Sequence, residues 1–298
     1  MKTNFKSFYA LGTAILLLIT NAVIAQSGLK IGDFQIWKLQ DAQITLKTSL
    51  LKDIDQALAE KLNGGSEIQT TPVNAFLVKT PAHVILVDTG IGKSSGEDSG
   101  HLLDQMKTIG IIPASVDIIL LTHLHFDHIG GLTTPDGKRA FPNATIRLSK
   151  AESDFWLGDL NSIPAEQRER AKQIHKQLDP YIQAKALKTF APNETIADGI
   201  KGIEAYGHTI GHAIYSFTSK GKEFWCIGDL IHFGNIQFKQ PKASVVFDAN
   251  GKLAIDSRIE FFNRAAANHI PIGGAHLSEM LTLEKSGDSF LSKPVKQE

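Results

Sequence analysis

Apolar residues fall along this chain in short runs separated by turn-forming residues, and their spacing switches repeatedly between the period of a strand and that of a helix. Residues 29–39 and 42–47 read as strands, and a polar helical segment over 51–61 is ended by Gly64-Gly65. Two runs, NAFLVK at 74–79 and HVILV at 83–87, read as buried strands, the second delivering the chain to Asp88-Thr89-Gly90. The glycine- and serine-rich residues 90–100 form a loop, and 101–108 carry helical spacing with Leu102, Leu103 and Met106 on one face. A strand at 117–121 feeds His123-Leu124-His125, and another follows at 144–148. A short helix begins at Ala151 and carries Phe155 and Trp156; a longer polar helix over 165–178 has Pro164 near its start. The second half repeats the rhythm, with strands at 202–206, 213–219 and 223–227, a helix over 257–268 and a short final strand near Ile270.

Strands alternating with helices predict an α/β fold in which helices cover sheet faces. No fixed-period repeat, low-complexity tract or long linker divides residues 26–298, which read as one domain. Residues 1–25 stand apart. Lys2 and Lys6 precede the apolar run FYALGTAILLLIT, and Val23-Ile24-Ala25 offers a cleavage site before Gln26. That is the pattern of a secretory signal peptide, which predicts a periplasmic or secreted protein with no membrane association after cleavage. The alternative, a membrane anchor, needs about 20 apolar residues, and Asn21 and Gln26 interrupt this run.

The 298-residue chain is long enough to bury a core unaided. Its 31 basic and 31 acidic residues balance, and loss of Lys2 and Lys6 with the leader tips the remainder slightly acidic, which argues against nucleic acid or an anionic membrane as partner. The only cysteine, Cys226, closes no internal disulfide; within FWCI it reads as a buried, inert thiol.

The chemistry concentrates in Thr122-His123-Leu124-His125-Phe126-Asp127-His128-Ile129-Gly130-Gly131, directly after a strand. Imidazoles suit zinc, and a carboxylate adds charge compensation. His123 and His125 share a face if strand geometry persists across them, and Asp127 and His128, past the turn, can serve a second ion. A loop merely rich in histidine explains this poorly, because three histidines and an aspartate crowd into six positions between an apolar strand and a Gly-Gly turn. Further candidates emerge where other apolar runs end: His208 and His212 in GHTIGH, Asp229 in IGDL, and His276 in GGAHLS. His83, His101, His175 and His269 lack such surroundings; His232, three residues past Asp229, can line the pocket.

This ordered set resembles the metallo-β-lactamase superfamily, from TPVNAFLV at Thr71 through His276. The resemblance implies an αββα sandwich, two mixed sheets packed face to face with helices outside. It implies that His123, His125 and His208 hold one divalent metal and that Asp127, His128 and His276 hold the other. Asp229 would bridge them, and a metal-bridging hydroxide would be the nucleophile, making Asp127 and Asp229 the catalytic carboxylates. Asp88, in VDTG, would orient a ligand histidine, and its alternative is a turn cap before Thr89-Gly90. His212 reads as a hydrogen-bonded structural residue. Zinc leads the candidate metals, with manganese, cobalt and iron also admitted by these donors.

Hydrolysis at such a centre needs no serine nucleophile, and no G-x-S-x-G elbow is present. Within the superfamily, FPNATIRLSKAESDFWL, GHTIGH and AHLS are similar to methyl parathion hydrolase and the exported N-acyl homoserine lactonases near it. That likeness implies a small hydrophobic ester or lactone as substrate, a homodimer, and an aromatic cleft wall to which Trp156 corresponds, with a core role as its alternative; Phe126, beside the first motif, is a further pocket candidate. This chain departs from methyl parathion hydrolase at Phe126 and Ile210, each of which stands where that enzyme has proline. N-acyl homoserine lactone hydrolysis is the leading expectation. Aryl ester or organophosphate triester hydrolysis, a β-lactamase, and a non-catalytic zinc-binding protein are the alternatives.

Overall fold

A computed structural model describes residues 28–93, 96 and 98–295; the expected leader lies outside the described residues. Two seven-stranded sheets divide the chain in sequence order. The first holds, from edge to edge, Leu29–Ile31, Phe34–Lys47, Ile68–Lys79, Val84–Val87, Ile118–Leu120, Thr145–Ser149 and Leu187–Phe190. The second runs Ser289–Pro294, Leu281–Ser286, Ile272–Gly273, Lys222–Cys226, Ala213–Ser219, Ile200–Glu204 and Thr195–Ala197. Both are mixed, with parallel pairing from Val84–Val87 through Leu187–Phe190 and again between Lys222–Cys226 and Ile272–Gly273.

The sequence builds this sandwich because its central strands are apolar on both faces. In the first sheet Leu77, Leu86, Ile119 and Ile146 point outward into a core shared with the helices Leu102–Thr108, Lys150–Trp156 and Arg168–Gln183. Their neighbours Phe76, Val78, Ile85, Val87 and Leu120 point inward and meet Tyr215, Phe217, Phe224 and Cys226 of the second sheet. A third core lies between the second sheet and the helix Gly251–Ala267, through Trp225, Ile272, Phe261 and Phe262. Helix, sheet, sheet, helix is the αββα order. Full burial of each such side chain contributes about 1.5–3 kcal/mol, so the inter-sheet layer is a large part of what holds the halves together.

Several boundaries differ from the sequence reading, each for a local reason. Residues 48–52 form a 3₁₀ turn and a two-residue strand paired with Ser244–Val245, so the helix begins only at Gln56, where Asp55 accepts from the Leu58 N–H at 2.9 Å. The polar helix runs on through Pro180 to Gln183, because Tyr181 on its inner face donates to the Leu132 carbonyl at 3.0 Å. The last long helix starts at Gly251 behind an Asn250 cap, six residues before its apolar face becomes readable at Ser257. The strand near Ile270 is Ile272–Gly273 and is followed by a hairpin, Leu281–Ser286 with Ser289–Pro294, whose polar Glu284, Lys285, Ser292 and Lys293 mask it. No helix of the described residues is long and apolar enough to cross a membrane.

Candidate metal centre

The strand Ile118–Leu120 is buried on both faces and continues as Leu121 and Thr122 before the chain turns. His123 and His125 leave this turn, and one helical turn, Phe126–Ile129, brings Asp127 and His128 back toward the same point. Gly130 and Gly131 let the loop close. A Cβ on Gly130 would lie 2.0 Å from the Ile91 carbonyl oxygen, and one on Gly131 would lie 2.1 Å from that of Thr89. The second sheet supplies the rest: His208 after Ile200–Glu204, Asp229 after Lys222–Cys226, His276 after Ile272–Gly273. The His276 loop is pinned across the sheets, with Thr71 Oγ1 donating to the His276 carbonyl at 2.7 Å and Asn74 Nδ2 donating to the Leu277 carbonyl at 2.8 Å.

These elements converge two sets of donors. His123, His125, His208 and Asp229 form one, and Asp127, His128, His276 and Asp229 the other, with the ligand atoms of each set within 4.8 Å of one another. Asp229 belongs to both. Its Oδ2 lies 3.3 Å from His208 Nε2 and 3.4 Å from His276 Nε2, and its Oδ1 lies 3.2 Å from His128 Nε2. His125 joins through Nδ1, 3.0 Å from His208 Nε2. His123 Nε2, His128 Nε2 and Asp229 Oδ1 are buried without a hydrogen-bond partner. Orphaned polar atoms are costly in a protein interior, and one cation at each donor set would satisfy them through the nitrogen and oxygen donors that divalent metals take. The donor set therefore fits the expected pair of ions.

Groups behind the donors fix which ring nitrogen faces the centre. Asp88 Oδ2 lies 2.8 Å from His128 Nδ1, while its other oxygen accepts the Thr122 N–H at 2.8 Å. Asp88 holds φ of 58°, a left-handed conformation that aspartate tolerates better than most residues. Asp248 Oδ1 lies 2.9 Å from His208 Nδ1, and the Pro72 carbonyl lies 2.9 Å from His276 Nδ1. Each Nδ1–H donates outward and leaves Nε2 as the ligand atom. His212 has both ring nitrogens engaged: Nδ1 donates to the Ala205 carbonyl at 3.0 Å, and Nε2 accepts the Asp229 N–H at 3.0 Å. Gly228 permits that contact, with φ of 50° and no room for a Cβ beside the His212 ring.

Carboxylates and imidazoles set one another's protonation in this cluster. Burial works against charging His276 and His208, yet the facing carboxylates overcome it and raise them to about 10 and about 8, with Asp229 the leading partner in both. His128 is likewise raised. Burial, then neighbouring imidazoles, keeps His123 and His125 well below the usual range. Burial alone would raise Asp127 and Asp229, but His128 and His276 hold both carboxyls low. Loading this centre with cations therefore releases protons.

A cleft of about 380 Å³ opens onto the donors, walled by Ile44, Leu124, Phe126, Ile174 and Phe247, with Arg170, His232 and Asp127 among its polar edges. His232 places Nε2 3.0 Å from Asp229 Oδ2 and stacks on His276. Trp156 is a correction. It is 4% exposed, packs in the outer core of the first sheet and is absent from the cleft wall, because its helix turns that face onto the sheet.

Sequence reasoning missed Asp248, Phe247, Arg170 and Glu152. Glu152, fully buried, accepts from the Leu124 N–H at 3.0 Å, Thr209 Oγ1 at 2.7 Å and the Gly211 N–H at 2.9 Å, so one carboxylate ties both histidine loops together. Burial raises its pKa, against those three donors. The Ser149-x-x-Glu152 spacing was a readable helix-start signal, and Ser149 does accept the Glu152 N–H. The glutamate side chain, however, leaves the helix for the loops.

A two-sheet sandwich carrying five imidazoles and two carboxylates at its strand ends is a scaffold that can hold a pair of divalent cations. Residues 68–261 match the metallo-beta-lactamase superfamily, and the chain belongs to that family. The solved structure of AbOPH, a hydrolase of the beta lactamase superfamily, is similar over 91% of this chain and 97% of its own, at 31% identity and a TM-score of 0.85. AidC, a dizinc quorum-quenching lactonase solved with the product N-hexanoyl-L-homoserine, is similar over 90% of this chain and 97% of its own, at 26% identity and a TM-score of 0.81. An N-acyl homoserine lactonase of Bacillus thuringiensis is 24% identical over 160 residues, 47% of this chain and 56% of that protein. This chain spans only 50–59% of the length of such curated relatives.

Proposed function

We propose that this protein opens the ring of N-acyl homoserine lactones at a centre of two divalent cations, with zinc the first choice of metal. The observation that carries the reading is the pairing of two donor sets through Asp229 at the foot of an apolar cleft. His123, His125 and His208 would hold one ion, Asp127, His128 and His276 the other, and Asp229 would touch both. When bound, such ions lower the pKa of a water and polarise the carbonyl under attack.

The chain's own residues do the rest. Ile44, Leu124, Ile174 and Phe247 take an acyl chain and exclude bulk water from the reacting ester. Asp127 is 23% exposed where Asp229 is 3%, so it is the carboxylate that reaches the cleft. Held low by His128 and His276 against the effect of burial, it stays ionised and presents an acceptor oxygen at the foot of the cleft. His232 steadies Asp229 from the cleft side. Phe126 and Phe247 favour a second reading, hydrolysis of aryl esters or aryl phosphotriesters, since their rings offer faces to an aromatic leaving group.

Turnover of acyl homoserine lactones of graded chain length, a paraoxon-type triester, an aryl acetate and a chromogenic β-lactam, run beside elemental analysis, tests this. Preference for the lactones, abolished by chelation and restored by zinc, supports the proposal; preference for either aryl substrate replaces it with the second reading. We further propose export with cleavage after Ala25, and assembly as a homodimer. N-terminal sequencing of periplasmic protein and sedimentation of the purified enzyme test these.

A further inference from the structure

Arg170 projects from the helix Arg168–Gln183 to the wall of the cleft, where it is the only lysine or arginine among the described residues. No carboxylate of the described residues lies within ion-pairing distance of it. Its recorded partner is His125, with Nη1 3.4 Å from the imidazole Nε2. That contact pairs a donor with an acceptor only while Nε2 is unprotonated. His125 turns Nδ1 toward the donor cluster, 3.0 Å from His208 Nε2. Once Nδ1 gives its lone pair to a cation, the neutral ring must carry its proton on Nε2. Two N–H donors then face each other with no acceptor between them, beside the apolar side chains of Leu124 and Ile174.

We infer that Arg170 and the Nε2 edge of His125 form a subsite for a carbonyl-type oxygen of the substrate other than the one attacked. On the proposed reading of the site, on which this assignment of the group rests, that oxygen is the side-chain amide of the acyl homoserine lactone. The subsite makes Arg170 a specificity residue: it distinguishes a lactone that bears an acylamino group from an alkyl lactone of similar size. A hydrogen bond made to a charged group corresponds to roughly a tenfold gain of affinity.

The test uses the zinc-loaded full-length protein and two ring-opened ligands, N-hexanoyl-L-homoserine and 4-hydroxydecanoate. Both carry a carboxylate, a hydroxyl and an alkyl chain; only the first carries the amide. By calorimetry the wild type should bind the amide ligand roughly tenfold or more tightly. Arg170→Met should erase that preference while leaving 4-hydroxydecanoate within about twofold, and Arg170→Lys should keep part of it. In turnover, Arg170→Met should raise KM for N-hexanoyl homoserine lactone roughly tenfold, keep kcat within about threefold, and spare γ-decalactone. Arg170 is exposed, so its loss removes no core packing. Equal binding of the two ligands by the wild type, failure to bind either, or a preference that survives in Arg170→Met overturns the subsite. A wild type that prefers the amide ligand yet opens no acyl homoserine lactone leaves the subsite standing and sinks the proposed function instead.

Discussion

Asp248 Oδ1 lies 2.9 Å from His208 Nδ1, and both side chains are almost fully buried. The carboxylate fixes the ring orientation and the tautomer, so that Nε2 faces the other donors. Losing such a partner typically costs 10–100-fold in metal affinity. Asp248→Asn is expected to weaken zinc by about that factor in a chelator-competition titration, with turnover recovering at saturating zinc. Unchanged affinity would mean that His208 is held by its loop alone.

Asp229 stands between the two donor sets, within 3.7 Å of His123, His128, His208 and His276. Asp229→Asn is expected to abolish turnover and lower bound metal by elemental analysis, and His123→Ala to do the same. An Asp229→Asn enzyme with full metal content and ordinary kinetics would remove the bridging role.

Glu152 serves three donors from two loops. A glutamine there keeps one oxygen and turns an amide N–H toward a donor, so Glu152→Gln should cost about 2–4 kcal/mol in urea unfolding. Zinc affinity should fall with it, because Leu124 lies between His123 and His125. A stability loss with no change in metal affinity would confine Glu152 to the fold.

Trp156 belongs to the core. Trp156→Ala should destabilise the protein by about 3–5 kcal/mol while leaving the ratio of turnover among lactone, aryl ester and triester unchanged. A shift in that ratio at full folding would return the residue to the cleft.

His212 is lowered to about 3, chiefly by burial and then by His208, and is neutral in the folded protein. The unfolded chain, with an ordinary histidine near 6.5, takes up a proton that the native state refuses. The stability His212 contributes is therefore intact above pH 6.5 and is lost as pH falls toward 3, at no more than about 1.4 kcal/mol per unit. Metal-stripped wild type and His212→Gln, compared by denaturant unfolding, should differ in slope between pH 6.5 and 4.5, the variant flattening by about 2 kcal/mol. Parallel slopes would show that His212 is protonated in the fold.

The alternation of strands and helices and the first donor loop were legible because their signals are local, whereas the two-sheet sandwich was legible only through the family resemblance. A both-faced apolar strand runs straight into HLHFDH, and the chain's own turn gathers those side chains. His208, Asp229 and His276 were readable only as a set, since each alone is a polar residue after a buried strand. Asp248 and Glu152 were not legible. Their bonds cross 40 and up to 59 residues of sequence, and an aspartate before a cap or a glutamate three residues into a helix has a sufficient local explanation. Trp156 misled for the related reason that an aromatic residue near a motif in sequence carries no direction in space. The strands Leu187–Phe190 and Thr195–Ala197 escaped because edge strands need little apolar patterning.

The boundary between the two sheets falls between Phe190 and Thr195, and the centre straddles it. His123, His125, Asp127 and His128 come from the earlier half of the chain, and His208, Asp229 and His276 from the later half. During synthesis the first four emerge well before their counterparts, and none of them can complete a coordination shell until the halves have docked. Ions held there would thus act as a clasp fastened at the end of assembly. Chelation should loosen the seam between the halves before it unravels either one, and resistance to proteolysis at that seam would follow how much metal the protein carries.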